Sequence, residues 1–173
     1  PFEKDKSVRF SFPLANFGTD ISQHPLVQKA DVINLHWVNQ GFLSLKNIRQ
    51  LAATGKPLFW TLHDMWAFTG GCHYSRGCRN FEQECGNCDY LHCPSTRDLS
   101  HRIWQRKKKL FPENLKIITC SEWLAGEARR SGLFRNSTVQ AIPNPINTDV
   151  FKPLEGSARQ QVRAEMGIAP GVH

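Results

Sequence analysis

Residues 61–74 read TLHDMWAFTGGCHY and place a histidine beside an aspartate, His63 and Asp64, directly after the apolar run PLFWTL. An imidazole donates or accepts a proton near neutral pH, and a neighbouring carboxylate can fix its tautomer or hold a hydroxyl. Trp66 and Phe68 follow, with flat apolar faces that suit a sugar or another ring. The same residues admit a plainer reading, in which Asp64 caps a turn and His63 is structural, and both readings stand at this point. His36, beside Trp37 at the end of an earlier apolar run, is either a hydrogen-bonded rim residue or a neighbour of His63 at one sheet edge.

Five of the six cysteines fall in one short stretch: Cys72, Cys78, Cys85, Cys88 and Cys93. The first four are spaced C-x5-C-x6-C-x2-C, and a C-x2-C pair lets one turn present two sulfurs to a tetrahedral ion. Cys72, Cys78, Cys85 and Cys88 are therefore the candidate ligands of a structural zinc, with His73, His92 or Cys93 as substitutes. Free or partly paired thiols are the alternative. A redox reading of Cys85-Gly-Asn-Cys88 is weaker, because that motif needs a strand just before it and a helix just after. A loop of about 35 residues is unusual inside a compact domain and calls for a staple. Thiols clustered in one insertion of an otherwise ordinary α/β core point to a reducing, cytoplasmic compartment.

These groups need a frame. Residues 31–38 (DVINLHWV), 57–62, 115–119 and 138–142 are short apolar runs that read as buried strands. Between them, residues 43–54 show helical spacing ended by Gly55 and Pro57, and a second helix runs from Asp98 or Ser100 to about Phe111. Ser121 caps a third helix through Arg130, with Gly132 beyond it. Alternating strands and helices predict a parallel, doubly wound sheet. Prolines in IPNPINTDVFKP, residues 142–153, mark a linker, and a short helix is expected over residues 157–166 before Gly167. Near the start, Val8, Phe10 and Phe12 alternate like a strand.

The chain has 173 residues, of which 40% are hydrophobic and 21% charged, enough apolar material for a core and too much for disorder or a collagen-like repeat. No apolar run reaches the roughly 18 residues of a membrane span. Lys and Arg outnumber Asp and Glu 22 to 15, a net charge of +7. That balance suits nucleic acid, an anionic membrane surface or a phosphorylated small molecule. The basic run at residues 102–109, with Trp104 inside it, is either a site for an anionic leaflet or phosphates, or a solvated helix face. The first residue is Pro1, so the natural start is expected to lie elsewhere.

LHWVN (35–39), TLHDMWAFTGGCHY (61–74), CGNC (85–88), CSEWL (120–124) and IPNPINTDVFKP (142–153) occur in that order. Together they resemble family 4 glycosyltransferases, in particular the bacterial branch that builds capsular, colanic-acid-like and other exopolysaccharides, over roughly residues 30–155. The resemblance implies an α/β chain with a Rossmann-like parallel sheet, the N-terminal half of a GT-B fold, carrying a Cys-rich insertion at about residues 70–97. Residues 1–142 match a partial acceptor-side domain, residues 143–156 the interdomain linker, and residues 157–173 the start of the donor domain. The glycine-rich opening of the first domain and the rest of the donor domain are lacking, so the isolated chain is expected to be inactive.

For the full enzyme the resemblance implies transfer of a sugar from a nucleotide-sugar donor to a glycan or lipid-linked acceptor, with retention and without a catalytic metal. His63 matches the active-site histidine, hydrogen bonding at the reacting sugar and acceptor. Asp64 orients it or caps the next turn, while Ser121 and Asn144 are cleft-lining or structural. The expected setting is cytoplasmic and peripheral at the inner membrane surface, touching anionic lipid but no nucleic acid. Two rivals are kept: a zinc-containing nucleic-acid-binding module, and a non-catalytic Rossmann-like interaction domain. Zinc follows from the cysteine spacing and not from the family.

Overall fold

Short runs rich in β-branched and aromatic residues set the frame. The computed structural model, which describes residues 2–8, 10–169 and 172, contains β1 (Ile33–His36), β2 (Leu58–Leu62), β3 (Lys116–Thr119) and β4 (Val139–Ala141). They form one sheet in the order β1-β2-β3-β4, with every neighbouring pair parallel. Its helices are α1 (Pro25–Lys29), α2 (Leu45–Ala52), α3 (Leu99–Leu110), α4 (Glu122–Arg130) and α5 (Gly156–Glu165). The architecture is the expected α/β one with a Rossmann-like parallel sheet.

The four described strands follow one another across the sheet in chain order. A strand order that rises steadily, with right-handed crossovers, sends every connecting helix to the same face. In agreement, α2 and α3 lie against each other, and the sheet has no reversal point among the described residues. Register explains which face is which. Leu35, Trp60 and Ile117 stand side by side on the covered face and are buried. They pack with Leu45, Ile48 and Leu51 of α2 and with Leu124 and Ala128 of α4. His36, Thr61 and Ile118 share the opposite face.

Local chemistry decides where the helices begin. α2 opens on a capping box that the sequence reading overlooked: the Asn47 N–H donates to Ser44 Oγ (3.2 Å) and the Ser44 N–H to Asn47 Oδ1 (2.9 Å). Asp98 caps α3, its Oδ1 accepting the N–H groups of Ser100 and His101, and Ser121 caps α4 through the Leu124 N–H. Gly55 closes the turn after α2 at a φ of +77°, a conformation that glycine adopts without strain.

The strand expected near the start does not form. Lys6–Val8 is a 3₁₀ turn, and Phe10 sits at a φ of +64°, outside any strand geometry. Val8 and Phe12 are buried all the same, in a second apolar cluster with Tyr90, Leu91 and Ile103. The Cys-rich insertion thus rests on the first residues of the chain, tied further by Lys4 N–H to Tyr90 O (2.8 Å) and His92 N–H to Phe2 O (3.0 Å).

The chain divides into two compact units, Pro1–Pro143 and Asn144–His173. In the second, Asn147 accepts the Asp149 N–H (3.0 Å) in a turn that precedes α5, and none of the residues of α5 is buried. Among the described residues no helix is long and apolar enough to cross a membrane.

Candidate active site

The carboxyl ends of β1 and β2 carry the histidines. In parallel register His36 pairs with Thr61, and His63 lies two residues beyond Thr61 on the same face, so the two imidazoles meet. Thr61 Oγ1 donates to Asn34 Oδ1 (3.1 Å), which turns the Asn34 amide nitrogen toward His36 Nε2 (3.0 Å). In the tautomer that this contact favours, His36 Nε2 accepts and its Nδ1–H donates to His63 Nε2 (3.1 Å). The matching tautomer of His63 carries its proton on Nδ1. Both rings are exposed, 5.4 Å apart between centroids. This relay can present one oriented N–H donor to a ligand oxygen.

Asp64 does not join that relay. Its Oδ2 accepts from Trp37 Nε1 (2.8 Å) and His73 Nδ1 (2.7 Å), and its Oδ1 accepts the Trp66 N–H (2.8 Å). Burial pushes the carboxyl up, but the hydrogen bonds from His73, Trp66 and Trp37, with the charge of His73, outweigh burial and hold its pKa below the ordinary value. A carboxylate so fully engaged caps the following turn and fixes Trp37 and His73; it is a positioning residue. Trp37 is held at a φ of +44°, a strained backbone for a bulky residue, while its indole stacks on His73 at 5.6 Å. His73 Nε2 is buried with no hydrogen-bond partner among the described residues.

Trp66 and Phe68 are corrected as ligand-facing residues. Both are buried: Trp66 donates its Nε1–H to Pro13 O (2.8 Å), and Phe68 packs against Phe81 and Phe134. They sit on a 3₁₀ turn (Trp66–Phe68) whose aromatic residues all face inward. Ser121 is the N-cap of α4, and Asn144 belongs to the second unit, where it is exposed. The aromatic surfaces that do flank His63 are Tyr74 and Trp123, which sequence reasoning left out. Their rings stack at 6.3 Å, both are half exposed, and the Tyr74 hydroxyl donates to the His63 carbonyl (3.3 Å). Trp37, His73 and Tyr74 all lay inside motifs quoted above; the Trp37–Asp64 bond across 27 residues and the even longer-range ring contacts Trp37–His73 and Tyr74–Trp123 had no local signal.

Cys72, Cys78, Cys85 and Cys88 line one cleft of about 410 Å³, and all are free thiols. Cys93 is exposed, and His73, offered as a substitute ligand, is committed to Asp64. Among the described residues no three His, Cys, Asp or Glu groups stand close enough, as they are, to hold a metal ion. In the basic stretch Trp104 and Lys107 are buried, which removes Trp104 as a membrane-inserting group and leaves Arg102, Arg106, Lys108 and Lys109 outside.

Against known proteins, a family model described as Glycosyltransferase Family 4 matches residues 4–150. A colanic acid biosynthesis glycosyl transferase of Escherichia coli (strain K12), WcaC, is 32% identical over 98 residues, which cover 54% of this chain and 24% of that protein. The match thus spans about a quarter of the relative's length. No solved structure matches the chain significantly.

Proposed function

The chain belongs to glycosyltransferase family 4, and from that premise we propose that it is the acceptor-side part of an enzyme of cell-surface polysaccharide biosynthesis. The enzyme moves a sugar from a nucleotide-sugar donor to a glycan or lipid-linked acceptor, with retention of anomeric configuration. The observation that carries this reading is the exposed His36–His63 relay at the carboxyl ends of adjacent parallel strands. Ligands of open α/β sheets bind beyond those ends.

His63 offers its Nδ1–H to an oxygen of the transferred sugar or the acceptor, where charge shifts as the glycosidic bond breaks. His36 fixes the tautomer, and Asp64 holds the Trp37–His73 wall beside it. Residues 143–156 are the linker and residues 157–173 open the donor domain, which supplies the electrostatic stabilisation of the leaving diphosphate. No metal takes part in the transfer. The exposed face of α3, with Arg102, Arg106, Lys108 and Lys109, gives weak, salt-sensitive attraction to an anionic leaflet at the cytoplasmic side of the membrane.

The test is a transfer assay on the full-length protein that carries this chain, with a panel of nucleotide-sugars and lipid-linked acceptors. The reading predicts release of a nucleoside diphosphate without added metal and a product linkage of the donor's own anomeric configuration. An inverted linkage, or hydrolysis with no transfer to any acceptor, contradicts it.

A further inference from the structure

We propose that Cys72, Cys78, Cys85 and Cys88 together bind one zinc ion, and that Lys107 is the buried counter-charge of the resulting tetrathiolate. The four sulfur-bearing residues come from the irregular insertion yet border the same cleft. Cys78 stands on the turn Ser75–Cys78, closed by the Cys78 N–H to Ser75 O bond (3.0 Å), and is the most exposed of them. As they stand no three of these groups are close enough to hold an ion, so binding would draw the four sulfurs together across the cleft they share. Cys85 Sγ already accepts a hydrogen bond from the Gly70 N–H (3.0 Å), the contact that a metal-bound thiolate keeps.

Lys107 is the independent pointer. It is wholly buried on α3, with its ammonium against the carbonyl oxygens of Trp66 and Thr69 and 3.7 Å above the Trp66 ring. Among the described residues no carboxylate forms an ion pair with it. Two carbonyl dipoles and a ring do not balance a full charge in a dry interior, where an unpaired ion costs several kcal/mol. Its carbonyl partner Thr69 adjoins Gly70, whose N–H holds Cys85 Sγ, and the Thr69 hydroxyl donates to Cys72 O (2.6 Å), so the ammonium is tied to the strap that meets two of the thiols.

A redox or nucleophilic role for these cysteines fits poorly. Cys85-Gly-Asn-Cys88 lies in irregular chain, without the strand before it and the helix after it that a redox pair uses. A divalent cation removes the thiol protons outright. One Zn²⁺ and four thiols give a complex of charge −2 and release four protons, and Lys107 offsets part of that charge. Because Thr69 O holds Lys107 and the Gly70 N–H holds Cys85, the centre would brace the strap that runs from Asp64 to Cys72.

Elemental analysis with native mass spectrometry of the full 173-residue chain tests the site. The expected result is one zinc per chain, with none retained by Cys85→Ser and a full complement in Cys93→Ser. Titration of the metal-free wild-type chain with Co²⁺ needs no variant and is expected to give the intense charge-transfer and d–d bands of tetrahedral thiolate ligation. Lys107→Met is expected to weaken zinc binding about tenfold while Lys108→Met leaves it unchanged. No zinc with six titratable thiols, two disulfides among these cysteines, octahedral Co²⁺ spectra, or equal zinc affinity in the two lysine variants would overturn the proposal or its counter-charge part.

Discussion

His63 and Asp64 follow β2 with no gap, so their positions are set by a ladder of parallel backbone hydrogen bonds that reaches Thr61 and Leu62. The cysteines from Cys72 to Cys88 have no such ladder. Their backbone is placed by Phe12 under Gly71, by Asp98 Oδ2 accepting the Cys88 N–H (2.8 Å), and by a few turns. The first arrangement is fixed by regular structure and tolerates side-chain change; the second is fixed by side chains and does not. The exposed His36–His63 pair stands on the first, and four of the free thiols lie in the second.

Removing a prop from the insertion should give the largest effect. Phe12→Ala empties the middle of the second apolar cluster and is expected to lower stability by about 3–5 kcal/mol, read by urea denaturation. Hydrogen exchange should then show lost protection across residues 72–93 with the β1–β4 ladder intact. Equal loss in both regions would break the contrast.

Asp64→Asn probes the joint between the two regions. It keeps the shape but weakens three hydrogen bonds, for an expected loss of about 1–3 kcal/mol. The Asp64 pKa is lowered in the folded chain, so its contribution is complete above the unfolded value, 3.8, and is lost as pH falls through the lower folded value. The variant should lack that acid-limb dependence, and a denaturation series on both proteins measures it. Asp98→Ala, which frees both the first turn of α3 and the Cys88 N–H, is expected to cost about 1–2 kcal/mol and to expose the insertion to proteolysis. Ser44→Ala removes half of the α2 capping box and should cost about 1 kcal/mol with no change in protease sensitivity of the insertion.

The four strands of the sheet and the caps of α3 and α4 were legible because their signals are local. β-branched runs, Asp98 and Ser121 act within a turn of themselves. The strand order was not legible, since nothing in a single run says which neighbour it will choose. Trp66 and Phe68 were misassigned for a related reason: aromatic residues after a strand end carry no sign of whether the turn directs them to solvent or core. Here the 3₁₀ turn and Lys107 hold Trp66 inward. Lys107 itself was hidden in a basic run, where burial of one cation leaves no mark in composition. The His36–His63 contact rests on register, which a strand reading supplies only once the pairing is known.

The measurement that bears most directly on the account is glycosyl transfer by the full-length protein carrying His63→Ala, alongside His36→Ala. Loss of one oriented donor at the reacting centre is expected to lower kcat by about 100-fold or more, with a smaller drop for His36→Ala, which only orients the ring. Unchanged kcat in a folded His63→Ala enzyme would contradict the assignment of the strand-end relay as the reacting face.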